Sequence, residues 1–197
     1  MKSRASSWVL RILIGLAGVL LAAVGVLALM GLRQDAGVSR ASVEIQAPRQ
    51  QVWSWIVEPR KFKQWVGWVV DIETVNPVMG VGHRDIVIMN EPGSPEPVRL
   101  ETSWTEYAPP DRFAANVAFP GLFTGSQSYQ LTALGQNRTR LEVTTRIHYT
   151  SALVRLFEPL ATPSSTRKIE SDLAALKPLA EGDAKQSAAG LTGPPER

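Results

Sequence analysis

The sequence predicts an α+β protein: one curved antiparallel sheet of about seven strands, a long C-terminal helix gripped by it, two short helices after the first strand, and a transmembrane helix ahead of them all. Three observations predict it. An uncharged apolar run fills Ile12 to Leu32. Successive stretches between Val69 and Thr150 alternate apolar and polar residues and are separated by turn chemistry. After Thr150 the apolar spacing changes from the strand period to the helical one.

The N-terminal run reads ILIGLAGVLLAAVGVLALMGL, without charge or proline. About 20 apolar residues in a helix cross the hydrocarbon core of a bilayer, and lipid leaves backbone polar groups no partners except those a helix supplies. A cleaved signal peptide is the competing reading. Its apolar region is shorter, about 7–15 residues, and ends in a small-x-small site, whereas this run ends Leu29-Met30-Gly31-Leu32. Lys2, Arg4 and Arg11 precede the run, while Arg33 and Arg40 follow it with Asp35 between them. The positive-inside rule then puts the N-terminus in the cytoplasm and the following domain on the far side of a single-pass membrane protein. The chain divides into a basic flank (1–11), the membrane helix (12–32), a linker (33–40), a domain (41–181) and a tail (182–197) whose small polar composition predicts disorder.

Within the domain, Ala41–Ala47 alternates as a strand with Val43 and Ile45 on one face. Pro48 opens a helix that carries Val52, Trp55 and Ile56. Pro59 starts a second one, with Phe62 and Trp65 three residues apart on one face. Strands are predicted at Val69–Val75, His83–Asn90, Val98–Tyr107, Arg112–Phe119, Gly125–Ala133 and Thr139–Thr150. In the last, Leu141, Val143, Thr145, Ile147 and Tyr149 share a face. Short connections make the order an antiparallel meander. Leu153, Leu156, Phe157 and Leu160 are helically spaced. A longer helix at Thr166–Glu181 aligns Ile169, Leu173, Leu176 and Ala180, with Pro178 placed to end or bend it. A lone sheet must bury one face, and this helix is the element long enough to cover it. A sheet curled around a helix leaves a cavity between the layers.

Several stretches in this order resemble the START-like superfamily, also called SRPBCC or polyketide cyclase/dehydrase-like, whose fold is the helix-grip (Bet v 1/START-like) architecture. VEIQAPRQQVWSWIVEPRKFKQW is similar to its opening strand and helix pair. VGHRDIVI resembles its third strand, and SWTEYAPPDRFAA its strand, Pro-Pro corner and strand. NRTRLEVTTRIHY resembles the last strand and RKIESDLAALKPLAE the C-terminal helix. The resemblance runs from about Ser42 to Glu181. It implies a cavity for an apolar or amphipathic small molecule such as a lipid, sterol or polyketide. It implies no particular reaction, because the superfamily has no universal catalytic motif. The N-terminal anchor is a departure from its usual soluble members.

Composition narrows the chemistry. There is no cysteine, which excludes disulfides, thiolate catalysis and cysteine metal sites. The net charge is +3 with scattered basic residues, so no nucleic-acid stripe forms. His83 and His148 are the only histidines and lack the spacing of a metal site. No nucleophile elbow or phosphate loop is present. No metal or cofactor is expected, and no catalytic residue is assigned. Candidate cavity residues are Trp65, Trp68, His83, Leu100, Trp104, Phe119, Phe123, Tyr129, Thr145, Ile147, Tyr149 and Phe157. Apolar walls with few polar groups suit a ligand site, and the same side chains would equally build an ordinary core. Arg60, Lys61 and Lys63 are candidates for contact with anionic headgroups, or else form a solvated helix face. Asn137-Arg138-Thr139 matches a glycosylation acceptor and equally a turn.

The expected function is membrane-tethered binding of a hydrophobic, lipid-like molecule, more a carrier or sensor than an enzyme. The alternatives are a cyclase/dehydrase-type enzyme working in the same cavity and a packed interaction module without ligand. The expected partners are the membrane and the small molecule. The oligomeric state is left open.

Overall fold

Alternation along the chain produces seven strands that pair in one antiparallel sheet, in the order β1-β7-β6-β5-β4-β3-β2. The computed structural model describes residues 4–31, 37–90, 93–151 and 158–191. The strands are β1 (Val38–Ile45), β2 (Val69–Asn76), β3 (Arg84–Met89), β4 (Val98–Ala108), β5 (Arg112–Phe119), β6 (Phe123–Gly135) and β7 (Arg138–Tyr149). The helices are α1 (Arg4–Gly31), α2 (Arg49–Val57), α3 (Pro59–Trp65) and α4 (Glu158–Leu191). The α+β class, the strand count and the two short helices agree with the sequence reading.

Helix α1 carries the apolar run, and its segment Trp8–Leu29 has a mean hydropathy of 2.8. It is long and apolar enough to cross a membrane, a property that a signal sequence shares. Strand β1 begins at Val38, three residues before the expected start, because Val38, Ser39 and Arg40 pair with Arg146, Thr145 and Thr144. Those residues therefore belong to the sheet and not to the linker. Pro59 occupies the first turn of α3, where its missing N–H costs nothing. The β4–β5 corner is built on a cis Pro109–Pro110 bond.

The largest departure concerns α4. The expected extent is Thr166–Glu181, with disorder beyond, yet the helix runs from Glu158 to Leu191 and contains both Pro163 and Pro178. A proline removes one helical hydrogen bond, but the buried stripe Ile169, Leu173, Leu176 and Ala180 lies on both sides of Pro178 and holds the helix against the domain. Past Glu181 the helix is tied down again. The indole of Trp55 donates to the Asp183 carboxylate at 3.2 Å, and Gln51 donates to Ser187 at 3.2 Å. The expected helix spacing of Leu153, Leu156 and Phe157 falls outside the described residues.

The core lies between one part of the sheet and the helices. Ile45, Leu141, Val143, Leu131 and Tyr129 face Val52, Ile56, Trp65 and the α4 stripe. Helix α4 packs chiefly along β1 and against α2 and α3. It does not cover the sheet alone: Trp53 of α2 meets Tyr107 at 5.6 Å between ring centres, and Trp65 of α3 meets Tyr129 at 6.5 Å. Strand direction gives the sheet a lower end, where β1, β2, β4 and β6 begin, and an upper end, where β1 passes into α2.

Candidate functional site

The face of the sheet turned toward the helices follows from register and alternation. Thr145 lies opposite Ser39 and Gln127, Gln127 opposite Ala115, and Ala115 opposite Trp104. One step lower come Ile147, Gly125 and Val117, and then Tyr149, Phe123 and Phe119. Above Thr145 the inner residues are buried, as Tyr129, Leu131, Leu141 and Val143 show. Below it, Ile147, Tyr149, Phe123, Val117, Phe119 and Leu100 are only half-buried. The lower half of the inner face is thus apolar and only half-buried among the described residues, and is the candidate groove.

Gly125 shapes this groove. A Cβ there would sit 2.2 Å from the carbonyl oxygen of Arg146, so only glycine lets β6 and β7 approach this closely. The aromatic residues below it form a chain, with Phe119–Phe123 and Phe123–Tyr149 both at 6.2 Å between ring centres. Two polar side chains stand at the inner limit. The Thr145 hydroxyl oxygen is buried without a hydrogen-bond partner among the described residues, and Gln127 lies opposite it. A buried hydroxyl left unpaired costs about 1–3 kcal/mol.

His83 borders the upper part of the same face. Its ring lies 4.2 Å from that of Trp104, which stacks in turn on Tyr107 at 5.3 Å. Nδ1 is 2.9 Å from the Val78 carbonyl oxygen, and Nε2 is 3.0 Å from the Asp85 carboxylate, which also accepts a hydrogen bond from Thr74 at 2.9 Å. A carbonyl oxygen can only accept, so Nδ1 carries a proton. Both ring nitrogens are engaged, and His83 ties the turn between β2 and β3 to the sheet. His148 is exposed on the outer face.

A second polar cluster sits where α3 meets α4. Asp172 pairs with Lys168 and accepts the backbone N–H of Gly67 at 3.1 Å. Burial raises the Asp172 carboxyl above its ordinary range, against the opposing pull of Lys168 and Gly67. Burial also raises the Tyr129 hydroxyl, helped by the charge of Asp172. Lys168 lies 4.7 Å from the centre of the Trp68 ring.

Of the residues singled out from sequence, Leu100, Trp104, Phe119, Phe123, Thr145, Ile147 and Tyr149 come together on the inner face. Trp65 and Tyr129 belong to the packed core above the groove. Trp68 is 41% exposed at the lower end. His83 is buried but tied as described, and Phe157 lies outside the described residues. Among the basic trio, Arg60 is exposed, Lys61 contacts Ser54 at 2.8 Å and Asp183 at 3.5 Å, and Lys63 pairs with Asp71 at 2.8 Å. Two of the three charges are therefore already compensated. Sequence reasoning missed Gln127 and Val117, which the alternation through Tyr129 and Phe113 would have put on the inner face. It also missed Asp172, for which no local signal exists. A separate pocket of about 230 Å³ opens on the other side of the sheet, walled by Arg84, Glu101, Ser103 and Asn116. It shares Val117 with the apolar cluster of the inner face.

A bent antiparallel sheet that grips a C-terminal helix and keeps an apolar inner face defines a helix-grip module of the hydrophobic-ligand-binding or cyclase type. More particularly, the chain belongs to the polyketide cyclase / dehydrase and lipid transport family, whose model matches residues 37–181. Among solved structures it is similar to TTHA0849 from Thermus thermophilus, at 18% identity and a TM-score of 0.63, covering 75% of this chain and 99% of that one. The Zhui aromatase/cyclase from Streptomyces sp. R1128 is 16% identical with a TM-score of 0.61, covering 73% and 93%. NE0264 from Nitrosomonas europaea is 14% identical with a TM-score of 0.59, covering 77% and 98%. At these identities the likeness is one of fold. No curated protein matches the chain.

Proposed function

We propose that this protein is a single-pass, membrane-tethered module that holds a hydrophobic or amphipathic, lipid-like molecule in the lower half of its inner face. One observation carries the reading: half-buried Leu100, Val117, Phe119, Phe123, Ile147 and Tyr149 converge below the buried hydroxyl of Thr145, which has no partner among the described residues. Such a surface suits an apolar tail with one polar group. Burying about 300 Å² of apolar ligand surface gives about 7 kcal/mol at about 25 cal/mol/Å². Association costs consume much of that gain, so micromolar affinity needs no further motif. The basic residues ahead of the apolar run favour a cytoplasmic N-terminus and a domain outside the cytoplasm, which a reporter fused after Arg197 tests by its side-dependent activity. The binding test is lipid mass spectrometry on the full chain purified from its membranes. A discrete class of co-purifying molecule is expected with the natural sequence and its loss with Ile147→Arg. Equal recovery from both, or none from either, refutes the reading.

A second reading, cyclase-type chemistry, is favoured by Asp172 at the junction of α3 and α4, apart from the lower half of the inner face: it accepts the Gly67 N–H, pairs with Lys168, and its titration is raised by burial. It expects turnover of a polyketide-like substrate that Asp172→Asn abolishes without loss of binding.

A further inference from the structure

We propose that the groove opens toward the bilayer, and that its lipid-like ligand passes directly between the adjoining leaflet and the groove across a rim made by Trp68, Phe119, Leu122, Phe123 and Tyr149. This rests on the tethered-binding reading and adds the source of the ligand.

Chain connectivity sets the geometry. The anchor helix ends at Gly31 and the sheet begins at Val38, at its lower end. Gly37 accepts the backbone N–H of Ile147 at 3.0 Å, so the root of the tether is bonded to a strand that walls the groove. A chain covers at most about 3.3–3.6 Å per residue, so the step from Gly31 to Gly37 cannot exceed about 22 Å. The lower end is therefore held within about one headgroup layer and a short gap of the hydrocarbon.

That end carries the open part of the groove and exposed apolar side chains beside it. Trp68 is 41% exposed and Leu122 39% exposed. The turn bearing Leu122 is fixed in place, because Thr150 donates to the carbonyl oxygens of Leu122 and Gly121. Below the polar pair of Thr145 and Gln127, Ile147 and Tyr149 lead to this rim along about 13 Å of strand, at about 3.3 Å per residue. A ligand seated with its polar group at Thr145 would point its tail out over apolar side chains toward the membrane. Arg146, exposed on the other face of β7, adds a positive charge near the same end, which attracts anionic headgroups.

A rival surface exists. Val78, Met79 and Val81 are exposed on the turn between β2 and β3, at the upper end. About 40 Å of β7 separates the two ends of the sheet, and the short tether holds the lower one. The test compares them directly, aided by the absence of native cysteine. Leu122→Cys and Met79→Cys are each labelled with an environment-sensitive fluorophore in the full chain. Each is then reconstituted into phosphatidylcholine vesicles containing phosphatidylglycerol, with or without spin-labelled lipid. The label at position 122 is expected to be blue-shifted and quenched by the spin-labelled lipid, and the label at 79 to stay in water. Quenching at 79 alone, or at neither position in a chain that remains bound to vesicles, overturns the proposal. A chain released from the vesicles by alkaline carbonate overturns instead the tether on which it rests. Leu122→Arg is further expected to slow uptake of a fluorescent fatty acid from vesicles by about tenfold, the factor equivalent to about 1.4 kcal/mol. Its equilibrium affinity for the same acid in solution is expected to fall by less than the rate of uptake does. Equal slowing by Met79→Arg, or no slowing by Leu122→Arg, would remove the rim's role.

Discussion

The upper and lower halves of the inner face are built by the same strands with the same alternation, yet they end in different states. In β7, Leu141 and Val143 are fully buried, while Ile147 and Tyr149, a few residues further on, remain half-exposed. In β6, Tyr129 and Leu131 are core, while Phe123 is not. The strands do not differ; what lies over them does. Helices α2 and α3 set Trp53 and Trp65 on the upper half, and α4 runs along β1 at the side. The hydrophobic effect rewards removing apolar surface from water wherever a covering layer exists. Surface left without one is available to a ligand.

The sharpest way to break this comparison is to cut the same amount of side chain from each half. Leu141→Ala removes a fully buried side chain and is expected to cost about 3 kcal/mol. Urea unfolding of the full chain in detergent micelles, followed by tryptophan fluorescence, measures it. Gly125→Ala tests the boundary between the halves, because the added Cβ meets the Arg146 carbonyl oxygen and the strands must part. A cost of about 2 kcal/mol is expected for such overpacking, read in the same assay, together with altered ligand recovery. In the lower half, Ile147→Ala is expected to cost about 1 kcal/mol or less, because the residue is not fully buried. It is expected to reduce co-purifying lipid strongly all the same. If Ile147→Ala matched Leu141→Ala in stability and left the ligand untouched, the two halves would be one core.

The smallest effect concerns pH. The folded-state titration of Asp172 lies above its ordinary value of 3.8, because burial disfavours the charge. The native state thus holds this proton to higher pH than the unfolded chain does. The group's contribution is present below the ordinary value and is lost as pH rises through the elevated one. Asp172→Asn keeps an acceptor for the Gly67 N–H and removes the titration. The stability of the variant relative to the natural sequence is therefore expected to rise with pH across the acid range. A trend of opposite sign in urea titrations would mean that the Lys168 pairing outweighs burial.

Much of the candidate groove is visible in the alternation of β7 alone. Thr145, Ile147 and Tyr149 share a parity with Leu141 and Val143, so the period of two is enough to draw an inner face. Gln127 was equally within reach, two residues before Tyr129 on β6. The part played by His83 was not, because its partners Val78 and Asp85 meet it only through the folded turn and the strand geometry. Asp172 reads in the sequence as a polar residue of an amphipathic helix. Only the approach of α3 encloses it.

By itself, the sequence determined the succession of strands along the chain, the apolar parity of each strand, the stripe on α4 and the membrane-length apolar helix, because each is a local periodicity enforced by backbone geometry; the pairing of β1 with β7 is a tertiary contact. The tertiary structure decided the rest. It carried α4 through Pro178 to Leu191, since contacts on both sides of the proline outweigh one missing hydrogen bond. It also decided which half of the inner face would be sealed, because periodicity states which surface must avoid water and is silent about which neighbour covers it.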